Sequence, residues 1–328
     1  MPPKIAIAIP CYKVKKHILD VIRGIPSWVD CIFAIDDACP QESGKFIAEN
    51  CTDPRVRVLY HGKNKGVGGA TITGYRAALE NGCAIVIKMD GDDQMDPTYL
   101  SRLINPILIG RADFTKGNRF YDLASLRQMP LIRRVGNLGL TLLTKVSSGF
   151  WHVSDPTNGY TAVHASVLRV LNLDRLAERY FFETSMLIQL NIVRSVAYDV
   201  PIPARYGSET SSLSVSRAFF GFPAKLLSGL MQRLFWRYFI YDINAVTFLL
   251  GFGGLLFLSG SAFGAYHWIV ADLHKSFTSP GTVALALLPL LLGAQMLMQS
   301  VLLDIMDKPS MPLHLLLDDR PKARAESP

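Results

Sequence analysis

Short apolar runs alternate with helix-like segments over the first 200 residues of the chain. Residues 5–9, 31–35, 56–60 and 84–87 are mostly apolar, a pattern typical of strands buried on both faces. Between the first two runs, residues 17–22 place apolar side chains at helical spacing. This alternation of strand and helix predicts a mostly parallel α/β sheet covered by helices on both faces. Ligands of such sheets bind at the carboxyl ends of the strands.

The pattern changes beyond residue 215. Residues 215–241 mix aromatic and aliphatic side chains with arginine and lysine, and Pro223 is expected to divide them into two pieces. We expect amphipathic helices lying in the headgroup plane of a membrane, rather than ordinary surface helices. Residues 245–270 and 282–303 are apolar and uncharged, and each run exceeds the roughly 20 residues that cross a bilayer.

This pattern divides the chain into four parts. The predicted parts are a catalytic domain (1–214), amphipathic juxtamembrane helices (215–241), a two-helix transmembrane hairpin (242–305) and a cytoplasmic tail (306–328). Glycines within residues 245–270 suit close helix packing in lipid, so we also expect that the hairpin can support a homo-oligomer.

Composition and charge add an orientation. The chain is 49% hydrophobic with a mean hydropathy of +0.23, and the excess lies in the two apolar runs. Arginines and lysines flank the hairpin on its outer sides, whereas the connecting loop has only Lys275 beside Asp272. The apolar run of residues 5–9 is too short for a signal peptide. We therefore expect a two-span membrane protein with the catalytic domain and both termini in the cytoplasm.

The remaining composition narrows the partners. A net charge of +7 fits an anionic membrane surface and phosphate-bearing substrates, and no nucleic-acid partner is expected. The five cysteines are scattered without metal-binding spacing, so they are interpreted as reduced thiols rather than a zinc site or a disulfide framework.

The most acidic stretch of the chain follows the fourth apolar run directly. Asp90, Asp92, Asp93 and Asp96 lie within seven residues, and such concentrated negative charge at a strand end calls for a counter-charge. Mg²⁺ or Mn²⁺ is the simplest candidate, because an Asp-x-Asp pair can bind a divalent cation that also holds a diphosphate. The alternative is an ordinary turn in which Asp96 caps the next helix.

A glycine-rich segment, residues 61–70, follows the third apolar run and leads into a helix. Its spacing fails the dinucleotide fingerprint, since Thr71 stands where the third glycine belongs, and it lacks the pattern of a P-loop. A loop lying beside a nucleotide, with Lys65 near a phosphate or ribose, remains the interpretation.

Other candidate residues lie further along. Arg119, Arg133 and Arg134 are of the type that holds phosphate in a bidentate fork, although the last pair could equally be a solvated helix face. Glu183 is either a first-turn carboxylate favoured by the helix dipole or a base.

Five motifs occur in a fixed order, and together they resemble the family 2 glycosyltransferases of the GT-A fold. Within that family the chain is most similar to polyprenyl-phosphate sugar synthases such as dolichyl-phosphate mannose synthase. The motifs are Pro10-x-Tyr12, Ile35-Asp36-Asp37, Asn64-Lys65-Gly66-x-Gly68, Asp90-Gly91-Asp92-x-Gln94 and Asp96-Pro97.

The resemblance implies roles for individual residues. The implied nucleotide-binding residues are Pro10, Tyr12, Asp37, Lys65 and Gly69. The implied ligands of Mg²⁺ or Mn²⁺ and of the diphosphate are Asp90, Asp92 and Gln94, and Arg119 and Glu183 complete the catalytic set. The implied acceptor-phosphate residues are Arg133, Arg134, Arg205 and Ser208.

The function that follows is metal-dependent, inverting transfer of one sugar from a nucleoside-diphosphate sugar to a polyprenyl phosphate at the cytoplasmic membrane face. Two alternatives stay open: extension of a lipid-linked or cell-surface glycan with Glu183 as the base, and a non-catalytic membrane protein that binds nucleotide sugar. Lys13-Val14 replaces the family's usual Asn-Glu, which bears on the donor and acceptor more than on the reaction class.

Overall fold

The computed structural model describes residues 2–121, 131–156, 158–203 and 215–318. The chain forms two compact units. The first comprises Met1–Arg233 together with Pro309–Pro328, and the second comprises Leu234–Lys308.

A seven-stranded sheet organises the described part of the first unit. The strands are β1 (Ile5–Cys11), β2 (Cys31–Asp36), β3 (Val56–Tyr60), β4 (Ile85–Lys88), β5 (Phe114–Asn118), β6 (Thr161–His164) and β7 (Ala197–Pro201). Their order in the sheet is β3-β2-β1-β4-β6-β5-β7. Strands β1, β2, β3 and β4 run parallel, β6 is antiparallel to both of its neighbours, and β5 pairs with β7 in parallel. The predicted mostly parallel α/β fold is confirmed.

Helices connect these strands and cover both faces of the sheet. Those of the first unit are Ile18–Gly24, Ser43–Asn50, Gly66–Glu80, Leu100–Leu108, Leu131–Ser148, Ala165–Val170, Phe182–Ile192 and Leu313–Asp318, and Val215–Phe235 runs to the unit boundary. Short 3₁₀ turns occupy Pro97–Tyr99, Arg119–Tyr121 and Leu173–Arg175.

The sheet has one apolar core on each face. Ile32 belongs to one core and Phe33, the next residue of β2, to the other, because successive side chains of a strand point to opposite faces. Both residues are at most 1% exposed. This double burial explains why the central strands are almost uninterrupted apolar runs.

Pro223 does not divide the helix in which it lies, so that prediction is wrong. The helix Val215–Phe235 continues through the proline. A proline removes one N–H donor, but packing on the following turns can hold a helix together. Leu226 is 4% exposed, and its carbonyl accepts a hydrogen bond of 3.0 Å from Ser147 Oγ.

The second unit contains two helices long and apolar enough to cross a membrane, Ala245–Leu273 and Pro280–Met306. Glycines let their backbones approach closely, since a Cβ at Gly253 would lie 3.3 Å from the carbonyl oxygen of Gly293. This close approach is the packing expected of helices in lipid.

The chain returns to the first unit after this hairpin, which the sequence did not predict. The helix Leu313–Asp318 begins at the carboxylate of Asp113, which accepts the backbone N–H groups of Leu313 and His314, each at 2.8 Å. The same buried carboxylate lies 2.8 Å from His314 Nδ1, and the His314 ring stacks on His164 with the ring centroids 4.4 Å apart.

Candidate active site

Three parallel strands deliver candidate residues to one edge of the sheet. Cys11 pairs with Asp36 across β1 and β2, and Ala8 pairs with Lys88 across β1 and β4. Tyr12 and Asp37 follow β1 and β2 directly and Asp90 comes two residues after β4, so the structure brings them to the same rim. The rim of carboxyl ends is where the fold places ligands.

Tyr12 offers an aromatic face at this rim. Its side chain is 44% exposed, and Pro10 lies two residues earlier, inside β1. The Lys13 ammonium stands 5.5 Å from the centre of the Tyr12 ring. An open aromatic ring beside a cation suits a nucleotide base and its phosphates, and the base-binding role of Pro10 and Tyr12 stays a prediction.

The Asp37 carboxylate holds the glycine-rich loop. It accepts the backbone N–H groups of Lys65 at 2.8 Å and Gly66 at 2.7 Å. Asp37 Oδ1 also lies 2.7 Å from Nδ1 of His61, a residue that sequence reasoning left without a role. The Asp37 side chain is only 3% exposed, so its visible function is to fix the start of the helix Gly66–Glu80. A contact with the base stays a prediction.

The glycines of this loop serve close packing. Gly66 has a φ of 87°, which favours glycine. A Cβ at Gly69 would lie 2.5 Å from the Cβ of Lys65, and the Gly69 N–H donates to the carbonyl of Glu178 at 2.9 Å. The Lys65 side chain therefore lies against Gly69. Contacts of Lys65 and Gly69 with a nucleotide stay predictions.

The acidic stretch separates into two roles. Asp90 and Asp92 follow β4 and are partly exposed; Asp90 Oδ1 accepts from Lys88 Nζ at 2.8 Å, and Asp92 Oδ1 accepts the N–H of Gln94 at 3.1 Å. Asp96 instead caps the turn Pro97–Tyr99, since its Oδ1 accepts the N–H of Thr98 at 2.9 Å. The predicted cap is confirmed.

Asp90, Asp92 and Gln94 carry the kind of oxygen atoms that a divalent cation prefers. Among the described residues no group of three or more His, Cys, Asp or Glu side chains could hold a metal. Two carboxylates and one amide oxygen are hard ligands suited to Mg²⁺ or Mn²⁺. Their role as metal and diphosphate ligands stays a prediction.

Arg119 and Asp155 form a bidentate pair beyond β5. Arg119 Nε donates to Asp155 Oδ2 at 2.8 Å, and Nη2 donates to Oδ1 at 3.1 Å. The Asp155 side chain is fully buried, whereas Arg119 is 36% exposed. The guanidinium is thus held in place by a buried carboxylate with part of its surface toward solvent. Sequence reasoning identified Arg119 but not the aspartate that orients it.

Glu183 lies in a cluster with two buried lysines. Lys88 Nζ is 3.5 Å from Glu183 Oε1, and the Glu183 side chain is 13% exposed. The amine of Lys116, on β5, donates to the carbonyl of Asn158, and both lysines are 1% exposed. Neither lysine was singled out from the sequence. The only signal for Lys88 was its charge at the end of an apolar strand, and Lys116 lies in the middle of a strand that is mostly polar.

Burial shifts the pKa of Lys116 in a direction that can be tested. Removal from water lowers the pKa to about 8, although Glu183 acts in the opposite sense; the ordinary value is about 10.4. Between pH 8 and 10 the unfolded chain therefore binds more protons than the folded protein. The free energy of unfolding contributed by Lys116 therefore rises with pH in this window, and below the window it stays at its lower, constant value because the amine is protonated in both states.

We predict that the melting temperature of wild type, measured relative to that of Lys116→Met, rises by several degrees between pH 7 and pH 9.5. The shift corresponds to about 2 kcal/mol. Thermal melts of both proteins across this range measure it, and comparison with the variant cancels the other groups that titrate there. Parallel curves would contradict the lowered pKa.

The side chains of the four residues predicted to bind the acceptor phosphate lie outside the described part of the structure. Arg133 and Arg134 lie on the helix Leu131–Ser148, but their side chains are outside the described part. Arg205 and Ser208 fall within 204–214, outside the described residues. Their roles at the acceptor phosphate stay predictions.

Solved structures share this architecture. A glucosyl-3-phosphoglycerate synthase from Mycobacterium tuberculosis, in complex with Mn²⁺, UDP and phosphoglyceric acid, matches with a TM-score of 0.52 and 18% identity over 71% of this chain and 78% of that one. A mannosyl-3-phosphoglycerate synthase from Rubrobacter xylanophilus matches with a TM-score of 0.53 and 14% identity over 74% and 77%. The first unit therefore has the GT-A fold.

Sequence comparison gives the family. Residues 6–171 match the family described as Glycosyl transferase family 2. The UDP-N-acetylglucosamine–dolichyl-phosphate N-acetylglucosaminyltransferase of Methanococcus voltae is 31% identical over 66% of this chain and 92% of its own length. The undecaprenyl-phosphate mannosyltransferase of Micrococcus luteus is 30% identical over 52% and 70%. The chain belongs to glycosyl transferase family 2. It is a glycosyltransferase, and the predicted resemblance to polyprenyl-phosphate sugar synthases is confirmed.

Proposed function

We propose that this glycosyltransferase transfers one sugar from a nucleoside-diphosphate sugar to a polyprenyl phosphate, with inversion at the anomeric carbon and with Mg²⁺ or Mn²⁺ bound at Asp90, Asp92 and Gln94. The observation that carries the proposal is the partly exposed pair Asp90 and Asp92 at the end of β4, beside the strand that presents Tyr12. The names of the two relatives support the lipid acceptor.

The residues divide the work by charge. When bound, the cation would neutralise charge that grows on the departing nucleoside diphosphate. Tyr12 would stack on the base, and Lys65 lies in the loop suited to a phosphate or ribose. Arg119, held by Asp155, would draw the anionic acceptor towards the donor, with Arg133, Arg134, Arg205 and Ser208 as further phosphate ligands. These positive groups would offset the repulsion between two anions.

A phosphate acceptor changes the demand on Glu183. A phosphate monoester is already ionised at neutral pH, so its oxygen can attack the anomeric carbon without a general base. The Glu183 side chain lies 3.5 Å from the Lys88 ammonium, so the carboxylate already has a positively charged partner within the protein. A hydroxyl acceptor on a growing glycan would require the base, and Glu183 is the candidate for it.

The membrane part of the chain fits the same acceptor. A long prenyl chain stays in the bilayer, so its phosphate is reached only by a domain held at the headgroup plane. The helices Ala245–Leu273 and Pro280–Met306 would provide this anchor as a two-span hairpin, with the catalytic domain and both termini in the cytoplasm. The positively charged residues outside the hairpin support that orientation.

A transfer assay tests the proposal. Full-length protein in nanodiscs would receive radiolabelled UDP-N-acetylglucosamine or nucleoside-diphosphate mannose or glucose, with dolichyl or undecaprenyl phosphate and either Mn²⁺, Mg²⁺ or a chelator. We expect label in the lipid extract that depends on the metal, and NMR of the product should show the inverted anomer. Absence of metal-dependent transfer to either lipid across the donor panel would contradict the proposal.

The variant Glu183→Gln distinguishes the two acceptor classes. With a phosphate acceptor and saturating Mn²⁺, we predict that kcat stays within about tenfold of wild type, because no proton has to be removed. Loss of a general base typically costs about 100-fold to 10,000-fold. A loss of that size, together with transfer to a glycan hydroxyl, would favour the alternative function. Thermal melting of the variant checks that the fold is retained.

A further inference from the structure

Lys88 is a buried cation at the end of β4. It pairs with Ala8 of β1 on one side and with Thr161 of β6 on the other, and its side chain is 1% exposed. Burying an ammonium in a sheet is costly unless carboxylates pair with it. Its Nζ lies 2.8 Å from Asp90 Oδ1 and 3.5 Å from Glu183 Oε1, so both partners are identified.

The space around this ammonium is shaped by Gly159. A Cβ at Gly159 would collide with Lys88 Nζ and would lie 3.1 Å from Asp90 Oδ2. Gly159 lies two residues before the start of β6, so the chain entering the neighbouring strand leaves room for both the amine and the carboxylate. The pair is therefore enclosed by backbone on the side that faces β6.

The two buried lysines of this region differ in their partners. Lys88 contacts two carboxylates, those of Asp90 and Glu183, whereas Lys116, which is equally buried, makes its hydrogen bond to the carbonyl of Asn158. Lys88 is therefore matched to the two carboxylates by its contacts.

We propose that Lys88 is a positioning residue for the metal site: it fixes the carboxylate of Asp90 through Oδ1 and is itself held by Glu183. The inference rests on the proposed function, because it requires that Asp90 binds a divalent metal. An ammonium near a divalent cation also repels it. The effect of removing Lys88 on metal affinity therefore decides between positioning and simple charge compensation.

Mn²⁺ binding to full-length protein with UDP and no acceptor, measured by electron paramagnetic resonance, provides the test. We predict that Lys88→Met weakens Mn²⁺ binding by about tenfold or more, because Asp90 loses the bond that fixes its orientation. Glu183→Gln should weaken it by about threefold, since Lys88 keeps its shorter bond to Asp90. Lys116→Met is the matched control: it removes a second buried lysine that does not contact Asp90, and Mn²⁺ affinity should change less than about twofold.

The double variant Lys88→Met/Glu183→Gln separates positioning from folding. Lys88→Met leaves Glu183 without the ammonium and is expected to lower the melting temperature; the second substitution removes that carboxylate charge and should restore it. Mn²⁺ affinity should stay as weak as in Lys88→Met alone, because Glu183 acts on the metal only through Lys88.

Failure of the positioning role and failure of the proposed function give different results in these measurements. Unchanged or tighter Mn²⁺ binding in Lys88→Met, or in the double variant if the single variant does not fold, would overturn the positioning role while leaving the proposed function intact. Failure of wild type to bind Mn²⁺ in the presence of UDP, and again with GDP in a repeat of the same titration, would instead contradict the metal site on which the proposed function depends.

Discussion

Asp92→Ala is expected to reduce sugar transfer by roughly a thousandfold while the protein still inserts into membranes and melts within a few degrees of wild type. Asp92 is partly exposed, so alanine opens no buried cavity, and the N–H of Gln94 that its Oδ1 accepts can bond to water instead. The expected defect is loss of a metal and diphosphate ligand. Initial rates at saturating donor and lipid, over a range of Mn²⁺ concentrations, measure it.

Asp96→Asn is the matched control for this variant. It removes another carboxylate from the same seven-residue stretch, but asparagine can still accept the N–H of Thr98 and cap the turn Pro97–Tyr99. Activity within about twofold of wild type is expected, because the amide preserves the cap. Full activity of Asp92→Ala would rule out the proposed metal site, and equal loss in both variants would mean that net charge, rather than Asp92 itself, is responsible.

The position of the site was predictable because it follows from strand order. Apolar runs ending in Asp37 and in Asp90 already implied parallel strands whose ends meet at one edge, and the register between β1, β2 and β4 confirms it. The strand β6, by contrast, was not identified. Thr161–His164 has four residues, too few to show a period, and it is a strand only because β4 and β5 lie on either side of it.

Partnerships between distant residues were not predictable. Lys88 and Glu183 are far apart in the chain, and nothing in the local pattern connects them. The same holds for Asp113, whose carboxylate accepts the N–H groups of Leu313 and His314. A short apolar segment near the C-terminus has no helical signal strong enough to overcome the cost of nucleation; its capping and packing against the first unit supply that stability.

The motif resemblance named candidate ligands, but it did not name the residues that support them. It implied Arg119 and Asp37, but it gave no role to His61 or Asp155, which hold Asp37 and Arg119 in place. Supporting residues are chosen by local geometry, so different side chains can serve in different relatives. Their identification needs coordinates, and their importance is best measured by variants that separate folding from chemistry.

Arg119→Ala is expected to lose both activity and stability. The buried carboxylate of Asp155 would lose the two side-chain hydrogen bonds of the guanidinium, at a cost of roughly 2 to 4 kcal/mol, with the lower value favoured because Arg119 is 36% exposed. Transfer should fall by about 100-fold if the guanidinium also binds a phosphate. Melting curves and transfer rates on the same preparations measure the two losses.

The double variant Arg119→Ala/Asp155→Asn distinguishes the two losses. Replacing the buried carboxylate by an amide should restore most of the stability, because a neutral group is cheaper to bury than a charge, and the asparagine oxygen can still accept the backbone N–H that Asp155 accepts at 3.2 Å. Activity should stay low. Recovery of activity together with stability would mean that Arg119 only neutralises Asp155 and binds no phosphate.

Arg23→Ala provides the reference for an arginine pair without a function. Arg23 and Asp20 form an ion pair at 2.9 Å in which both side chains are more than 70% exposed, and such surface pairs contribute little to stability. No measurable change in melting temperature or transfer is expected. Because the Arg119 pair has the same chemistry but a fully buried carboxylate, any difference between the two variants reports burial and substrate contact rather than the loss of an arginine.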